Sequence, residues 1–189
     1  MVVVRIYFEG DDQLREGFRA FFGELIAGGL HLKLIAGGAG SRTIADFQLA
    51  LKKHADELNV LLIDSEGPFH ERLFEEKCQT QGIAPGHKKK VFWMVQCMES
   101  WFLADHAALQ ECFGRDLRES ALRGNPRIEE IPKADVLGRL KAATQGKYHK
   151  TRHAPALLKM IDSERVKQAS EQCRRLFADL PNLASTARS

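Results

Sequence analysis

Four short apolar runs, separated by segments of helical periodicity, constrain this chain more than any other feature. Residues 2–8, Val-Val-Val-Arg-Ile-Tyr-Phe, are nearly continuously apolar and β-branched, the pattern of a strand covered on both faces. Residues 31–36, 60–63 and 91–95 supply a second, third and fourth strand. Between the first two, Leu14, Phe18, Phe21, Phe22 and Leu25 recur at helical spacing and predict one helix over 13–27, stopped by Gly28-Gly29. After the second strand, Gly37-Gly38-Ala39-Gly40 forms a turn, and Ser41 reads as the N-cap of a second helix with Ile44, Phe47 and Leu51 on one face. Strand, helix, strand, helix, strand in this order means an α/β fold built on a parallel sheet.

Beyond the third strand the pattern loosens. Residues 69–90 are polar, carry Gly82, Pro85 and Gly86, and read as a loop or frayed helix; residues 96–113 carry the helical stripe Met98, Phe102, Leu109 and Cys112; residues 114–131 read as irregular. Helices are expected over 134–144, 153–161 and 164–180, the last capped by Ser163 and closed by Pro181, with a disordered tail after it. The expected organisation is an α/β domain at 1–132, a basic helical extension packed on it at 133–180, and a tail at 181–189. Charge follows the same division: residues 1–132 hold 16 Lys and Arg against 20 Asp and Glu, and residues 133–189 hold 12 against 5. A basic surface of this kind suits an acidic partner or nucleic-acid phosphates as well as an ordinary solvated helix face.

With 44% hydrophobic and 28% charged residues, no apolar run of membrane-spanning length and a strand in place of a secretory leader, the chain reads as a cytoplasmic globular protein. Cys78, Cys97, Cys112 and Cys173 never form a C-x-x-C pair and read as buried reduced thiols.

The informative residues are acids at strand ends. In an open parallel sheet, loops and helix N-termini converge beyond the carboxyl ends of the strands, where ligands bind. Glu9 ends the first strand, with Asp11 and Asp12 following; Asp64 ends the third, with Glu66 two residues on. If these strands are neighbours, about 4.8 Å apart, their carboxylates meet over one site and repel unless a cation intervenes or a proton is shared. Mg²⁺ or Mn²⁺, which take oxygen ligands, are the natural occupants. Glu is neither a favoured turn residue nor a good strand former, so Glu9 reads as functional, with Gly10 turning the backbone away from it. Asp12 reads as a cap of the first helix, and Asp64 also suits a strand-ending turn. Glu99, soon after the fourth strand, is a further candidate ligand at the same edge. Asp105 falls on an apolar stripe, an expensive place for an unpaired carboxylate, and reads as the N-cap of a new helix from His106 or else as facing the acidic site.

These residues carry a resemblance. Glu9-Gly10 after the first strand and Asp64-Ser65-Glu66 after a later one resemble the Toprim arrangement of topoisomerases, primases and overcoming-lysogenization-defect nucleases. There a strand-end Glu-Gly and an Asp-x-Asp bind Mg²⁺ during phosphodiester chemistry; here Glu66 stands in place of the second Asp and is one methylene longer. A wider resemblance rests on Leu61-Leu62-Ile63-Asp64-Ser65-Glu66-Gly67-Pro68, Met94-Val95-Gln96-Cys97-Met98-Glu99-Ser100-Trp101-Phe102-Leu103-Ala104-Asp105, Ile131-Pro132-Lys133-Ala134-Asp135 and Tyr148-His149-Lys150. It is to an uncharacterised bacterial family, domain of unknown function 4276, often encoded beside an AAA-type or ABC-type ATPase. The resemblance implies a mainly parallel, four-stranded Toprim-like sheet flanked by helices, with a helical C-terminal extension. It also implies a metal-dependent nuclease, a defence effector controlled by a separate ATPase.

Lys147-Tyr148-His149-Lys150-Thr151-Arg152-His153 has the composition of a phosphate-contacting loop. With Lys133, the residues Lys147, Lys150 and Arg152 are candidate nucleic-acid contacts, and Lys150 or His149 a candidate catalytic partner of Glu9 and Asp64. The same segment serves equally well as an exposed linker between helices. Two other readings stand beside the nuclease: a non-catalytic module docking an acidic partner or nucleic acid through the basic helices, and a receiver domain phosphorylated at Asp64, against which counts the lack of a convincing fifth-strand lysine. No G-x-x-x-x-G-K-[ST] sequence is present, so P-loop ATP hydrolysis is not expected.

Overall fold

A computed structural model of the protein describes residues 2–187. The apolar runs become four strands, β1 (Val3–Phe8), β2 (His31–Ala36), β3 (Leu58–Asp64) and β4 (Val91–Met94), in one all-parallel sheet of order β2-β1-β3-β4. β1 and β3 are therefore the inner strands and are neighbours, with Phe8 opposite Leu62. All seven residues of β3 are buried, which is why its sequence does not alternate.

Alternate residues of the strands feed two cores. Ile6, Phe8, Val60, Leu62, Phe92 and Met94 face a large core, whereas Tyr7, Leu61, Ile63, Val91 and Trp93 face a smaller one. The smaller face is covered by α3 (Gly40–Lys53), through Ile44, Phe47 and Ala50, and by α4 (Glu71–Thr80), through Phe74 and Cys78. The larger is covered by α1 (Arg15–Phe21), α2 (Gly23–Ala27), α5 (His106–Phe113), α6 (Lys133–Ala143), α7 (Lys150–Met160), α8 (Ser163–Ala169) and α9 (Glu171–Thr186). One core thus runs without a break from β1 to Ala184 and joins the basic C-terminal helices to the sheet. Aromatic rings tie the layers: Phe8 lies 4.6 Å from Phe18, Phe21 stacks on Trp101 at 4.8 Å, and Phe21 and Phe22 both meet Phe177. α7 crosses α1 at Gly17, where a Cβ would come within 3.0 Å of the Pro155 carbonyl and the Leu158 side chain.

Several elements depart from the periodicity. The expected helix over 13–27 is a 3₁₀ turn (Asp12–Leu14) followed by α1 and α2. The break at Phe22 lets Phe21 and Phe22, 100° apart on a regular helix, both enter the core. Asp12 pairs with Arg15 and makes no side-chain cap. Ser41 lies inside α3, whose cap position is Ala39. The segment over 69–90, expected as a loop or frayed helix, contains α4, because Phe74 and Cys78 at i, i+4 pack beside Trp93. The stripe over 96–113 is a 3₁₀ segment (Met98–Ala104) and then α5, capped by the Asp105 carboxylate, which accepts the Ala107 and Ala108 N–H groups at 3.1 and 3.2 Å. α7 begins at Lys150, earlier than the expected 153.

The expected helix over 164–180 is divided at Ser170, whose buried hydroxyl caps α9 and donates to Glu129 at 2.6 Å; α8 is capped by Asp162, not Ser163. The tail expected to be disordered from 181 is helical to Thr186. Leu183 and Ala184 continue the apolar stripe of Leu176 and Leu180, and that packing outweighs the N–H missing at Pro181. Arg188 and Ser189 lie outside the described residues. Among the described residues no helix is long and apolar enough to cross a membrane.

Candidate functional site

Glu9 leaves β1 one residue beyond the Phe8–Leu62 pair, its N–H bonded to the Leu62 carbonyl at 3.0 Å. Gly10 then turns at φ +129° and pairs with Gly38 through two backbone hydrogen bonds of 2.8 and 3.0 Å. That clasp carries the Glu9 carboxylate onto the start of α3. A Cβ on Gly40 would lie 3.0 to 3.3 Å from the carboxylate atoms, so the carboxylate packs closely against the first turn of α3. Glu9 Oε2 accepts the Asp64 N–H at 3.2 Å, and Asp64 Oδ1 accepts the Met98 N–H at 2.9 Å, so the two acids are linked in series to the start of the 3₁₀ segment.

Ligand oxygens of Glu9, Asp64 and Glu66 lie within 4.8 Å of one another, and no other group of three His, Cys, Asp or Glu side chains comes together in this way among the described residues. Glu66 reaches the group from a left-handed backbone, φ +58°, and faces Gln96, also left-handed at φ +65°. The Glu66 N–H donates to the Gln96 carbonyl at 3.1 Å and the Gln96 N–H to Ser65 Oγ at 2.8 Å. Non-glycine residues in this region cost about 1–3 kcal/mol each and persist where the surroundings over-determine them. Here the Gln96 amide accepts the Lys133 N–H at 3.2 Å and donates to the Glu129 carbonyl at 3.3 Å, which fixes the start of α6 beside the acids. Lys133 Nζ then binds both oxygens of Glu66 at 2.6 and 2.7 Å.

A fourth carboxylate is buried behind the first three. Glu99 is 1% exposed and neither of its oxygens has a hydrogen-bond partner; Lys150 Nζ stands 3.1 Å from Oε1 without hydrogen-bond geometry. The nearby Tyr148 hydroxyl is likewise buried without a partner, and burial, reinforced by Glu99, pushes its pKa up. Glu99 is thus a buried carboxylate whose charge is met by one lysine, Lys150.

Electrostatics report the crowding. Burial, then the charges of Glu9 and Glu99, raise the Asp64 pKa from 3.8 to about 7, with Lys150 and Lys133 opposing. Burial raises that of Glu9, against its hydrogen bond from Asp64. Cys97 is pushed up to about 12 by burial, then by Glu99 and Asp64, and is no nucleophile at neutral pH. Burial disfavours the charges of Lys133 and Lys150, but their pKa values are nonetheless raised, by Glu66 and Glu99 respectively, so both stay cationic.

The structure divides the basic segment among different neighbours. Lys150 turns to Glu99; Lys147 pairs with Asp116 at 2.5 Å; His149 Nδ1 lies 3.0 Å from Thr151 Oγ1 and its N–H donates to His153 Nδ1; Arg152 is exposed. Sequence reasoning missed Gln96, Gly40 and Tyr148 as parts of the site. A glutamine interrupting an apolar run was the one available signal for Gln96.

The family model described as a domain of unknown function, DUF4276, matches residues 17–181. The chain belongs to this family. The DUF4276 match takes in Asp64, Glu66, Gln96, Glu99, Lys133, Tyr148 and Lys150, whereas Glu9 precedes it. No curated protein and no solved structure matches the chain. What DUF4276 covers is thus the large part of the site contributed by β3, β4, the 3₁₀ segment, α6 and α7.

Proposed function

We propose that this DUF4276 protein is a cytoplasmic, divalent-cation-dependent phosphodiester hydrolase of Toprim-like architecture acting on DNA or RNA, a defence effector under the control of a separate ATPase. The observation that carries the reading is the meeting of Glu9, Asp64 and Glu66 within 4.8 Å above two adjacent inner strands, backed by a buried carboxylate, Glu99, with no hydrogen bond of its own. The donor set fits the cation: every candidate ligand is a carboxylate oxygen, the chemistry that Mg²⁺ and Mn²⁺ take. Glu9 and Asp64 would hold it, with Glu66 joining on release from Lys133 and Glu99 completing or buffering the charge. A divalent ion there would supply Lewis-acid charge to the phosphate and lower the pKa of a water placed for attack.

The remaining roles belong to the chain's own cations. Lys150, its pKa raised by Glu99, stays cationic and would act chiefly by electrostatic attraction for a phosphate at the sheet edge. Lys133 is positioned to exchange Glu66 for a phosphate oxygen. With Arg152 and Lys147 it extends a basic surface for the nucleic-acid backbone. His149, whose Nδ1 meets Thr151, is the alternative partner through its other ring nitrogen.

A second reading, the non-catalytic binding module, is favoured by one observation: Lys133 occupies both oxygens of Glu66, as an internal counter-ion would. Mn²⁺ titration and cleavage of plasmid, single-stranded DNA and RNA separate the two. The hydrolase reading expects Mn²⁺ binding and cutting, both lost in Glu9→Gln and Asp64→Asn. Absence of binding at millimolar Mn²⁺, together with no cutting with or without the ATPase, leaves the module.

A further inference from the structure

Away from the acids, a cavity of about 690 Å³ opens between the 3₁₀ segment that precedes α5, the loop over 122–126, α6 and α8. Small-molecule sites commonly occupy about 300–1,000 Å³. Three arginines line it, one from each of three elements: Arg123 from the loop, Arg139 from α6 and Arg165 from α8. No carboxylate side chain is among its lining residues, while Leu103, Leu122 and Ile131 provide an apolar wall.

The arginines differ in how far their charge is already used. Arg165 lies 3.3 Å from Asp105 and near Asp162, so much of its charge is offset, although its side chain is half exposed and other donors stay free. Asp105 is itself saturated by three backbone N–H groups. Arg123 and Arg139 make no ion pair among the described residues. The Arg139 guanidinium lies against Gly124, where an added Cβ would fall 2.7 Å from its Nη1. Asn125, at the rim, is tied down by Glu130, with its own Oδ1 accepting the Arg127 N–H.

Two unpaired guanidinium groups and a third with donors to spare line one concave space, the donor chemistry that suits a group with several anionic oxygens. Arginine's fork binds phosphate in bidentate fashion, and a terminal phosphoryl group offers three oxygens to three arginines. The apolar wall adds room for an organic body. We propose that this cavity binds a phosphomonoester carried on a small organic group, of the class of a mononucleotide or the phosphorylated end of a strand. It shares no lining residue with the acid cluster and does not rest on the hydrolase reading.

The test is calorimetric titration of the full chain in chelator, so that the acid cluster contributes no cation-dependent binding. The titrants are adenosine monophosphate, adenosine, and a dinucleotide with or without a 5′-phosphate. Binding of a phosphorylated titrant and not of its unphosphorylated counterpart is expected. Monophosphate binding identifies a free ligand; binding by the phosphorylated dinucleotide alone identifies a strand end. Each lost charge-assisted bond should weaken binding about tenfold, so Arg123→Gln/Arg139→Gln should lose about 10²-fold. Arg139→Lys, which keeps the charge but loses the guanidinium fork, should bind between the parent and Arg139→Gln. Arg19→Gln, an exposed position of α1 away from the cavity, should bind as the parent does. Circular dichroism and melting temperature establish that each variant is folded. Equal binding of adenosine and its monophosphate, retention of affinity by the folded double variant, or no binding of any phosphorylated titrant at about 10 mM would overturn the proposal.

Discussion

Asp64→Asn should stabilise the folded protein while removing the residue on which the proposed chemistry depends. Asp64 is 8% exposed, and its pKa rises from 3.8 to about 7 through burial and then through Glu9 and Glu99. A proton held more tightly in the folded state favours folding below 3.8 and ceases to do so as the pH rises through about 7. Above that, the folded chain carries a carboxylate that the unfolded chain would ionise far more easily. A shift of about three pH units corresponds to roughly 4 kcal/mol, at 1.36 kcal/mol per unit. Asparagine keeps an oxygen for the Met98 N–H, so the hydrogen bond survives and the gain should be about 2–4 kcal/mol at pH 8. In urea unfolding with chelator present, the variant should be more stable than the parent at pH 8, and the gap should close between pH 7 and pH 4. A variant less stable than the parent at pH 8, or a gap independent of pH, would refute the account of Asp64 as a buried, charge-crowded acid.

Asp105→Ala strands the Ala107, Ala108 and Asp162 N–H groups; a lost cap of about 1 kcal/mol and a stranded buried donor of about 1–3 kcal/mol add to about 3 kcal/mol, read by urea unfolding, with Asp105→Asn intermediate. Lys150→Met should lower nuclease turnover about 10²-fold with little change in Mn²⁺ affinity, as expected of an electrostatic contributor aimed at the phosphate, whereas loss of Mn²⁺ binding would place Lys150 in a different role. Cys97 and Cys173, buried and with pKa values pushed up by that burial, should resist thiol reagents at pH 8 until the chain unfolds; fast labelling of either in the native protein would contradict their placement.

The sheet was legible because its runs are nearly pure: β3 is buried along its whole length, so its apolar sequence carries no competing period. The meeting of Glu9, Asp64 and Glu66 followed from strand ends alone, since a parallel sheet brings the same ends of its strands to one edge. What periodicity could not carry was the path of the chain between elements. Lys147, His149 and Lys150 look alike in sequence, yet the start of α7 at Lys150 decides that only Lys150 reaches Glu99. Gln96 was invisible as a left-handed residue because glutamine has no special preference for that region; neighbours from two loops impose it. The break at Phe22 and the helix through Pro181 are likewise outcomes of packing, where buried Phe21, Phe22 and Ala184 override local preference.

The large core that runs from β1 to Ala184 has a consequence for how the chain is made. The ribosome delivers all four strands by residue 94, but α7 and α9, which close one side of the sheet, follow up to 92 residues later. α1 can cover Phe8 early, but at about 5–20 residues per second the β4 residues Phe92 and Met94 wait roughly 5–20 s for α9. During that interval the nascent sheet offers an open apolar face, and its yield in the cell should depend on chaperones that shield it until the last helix emerges.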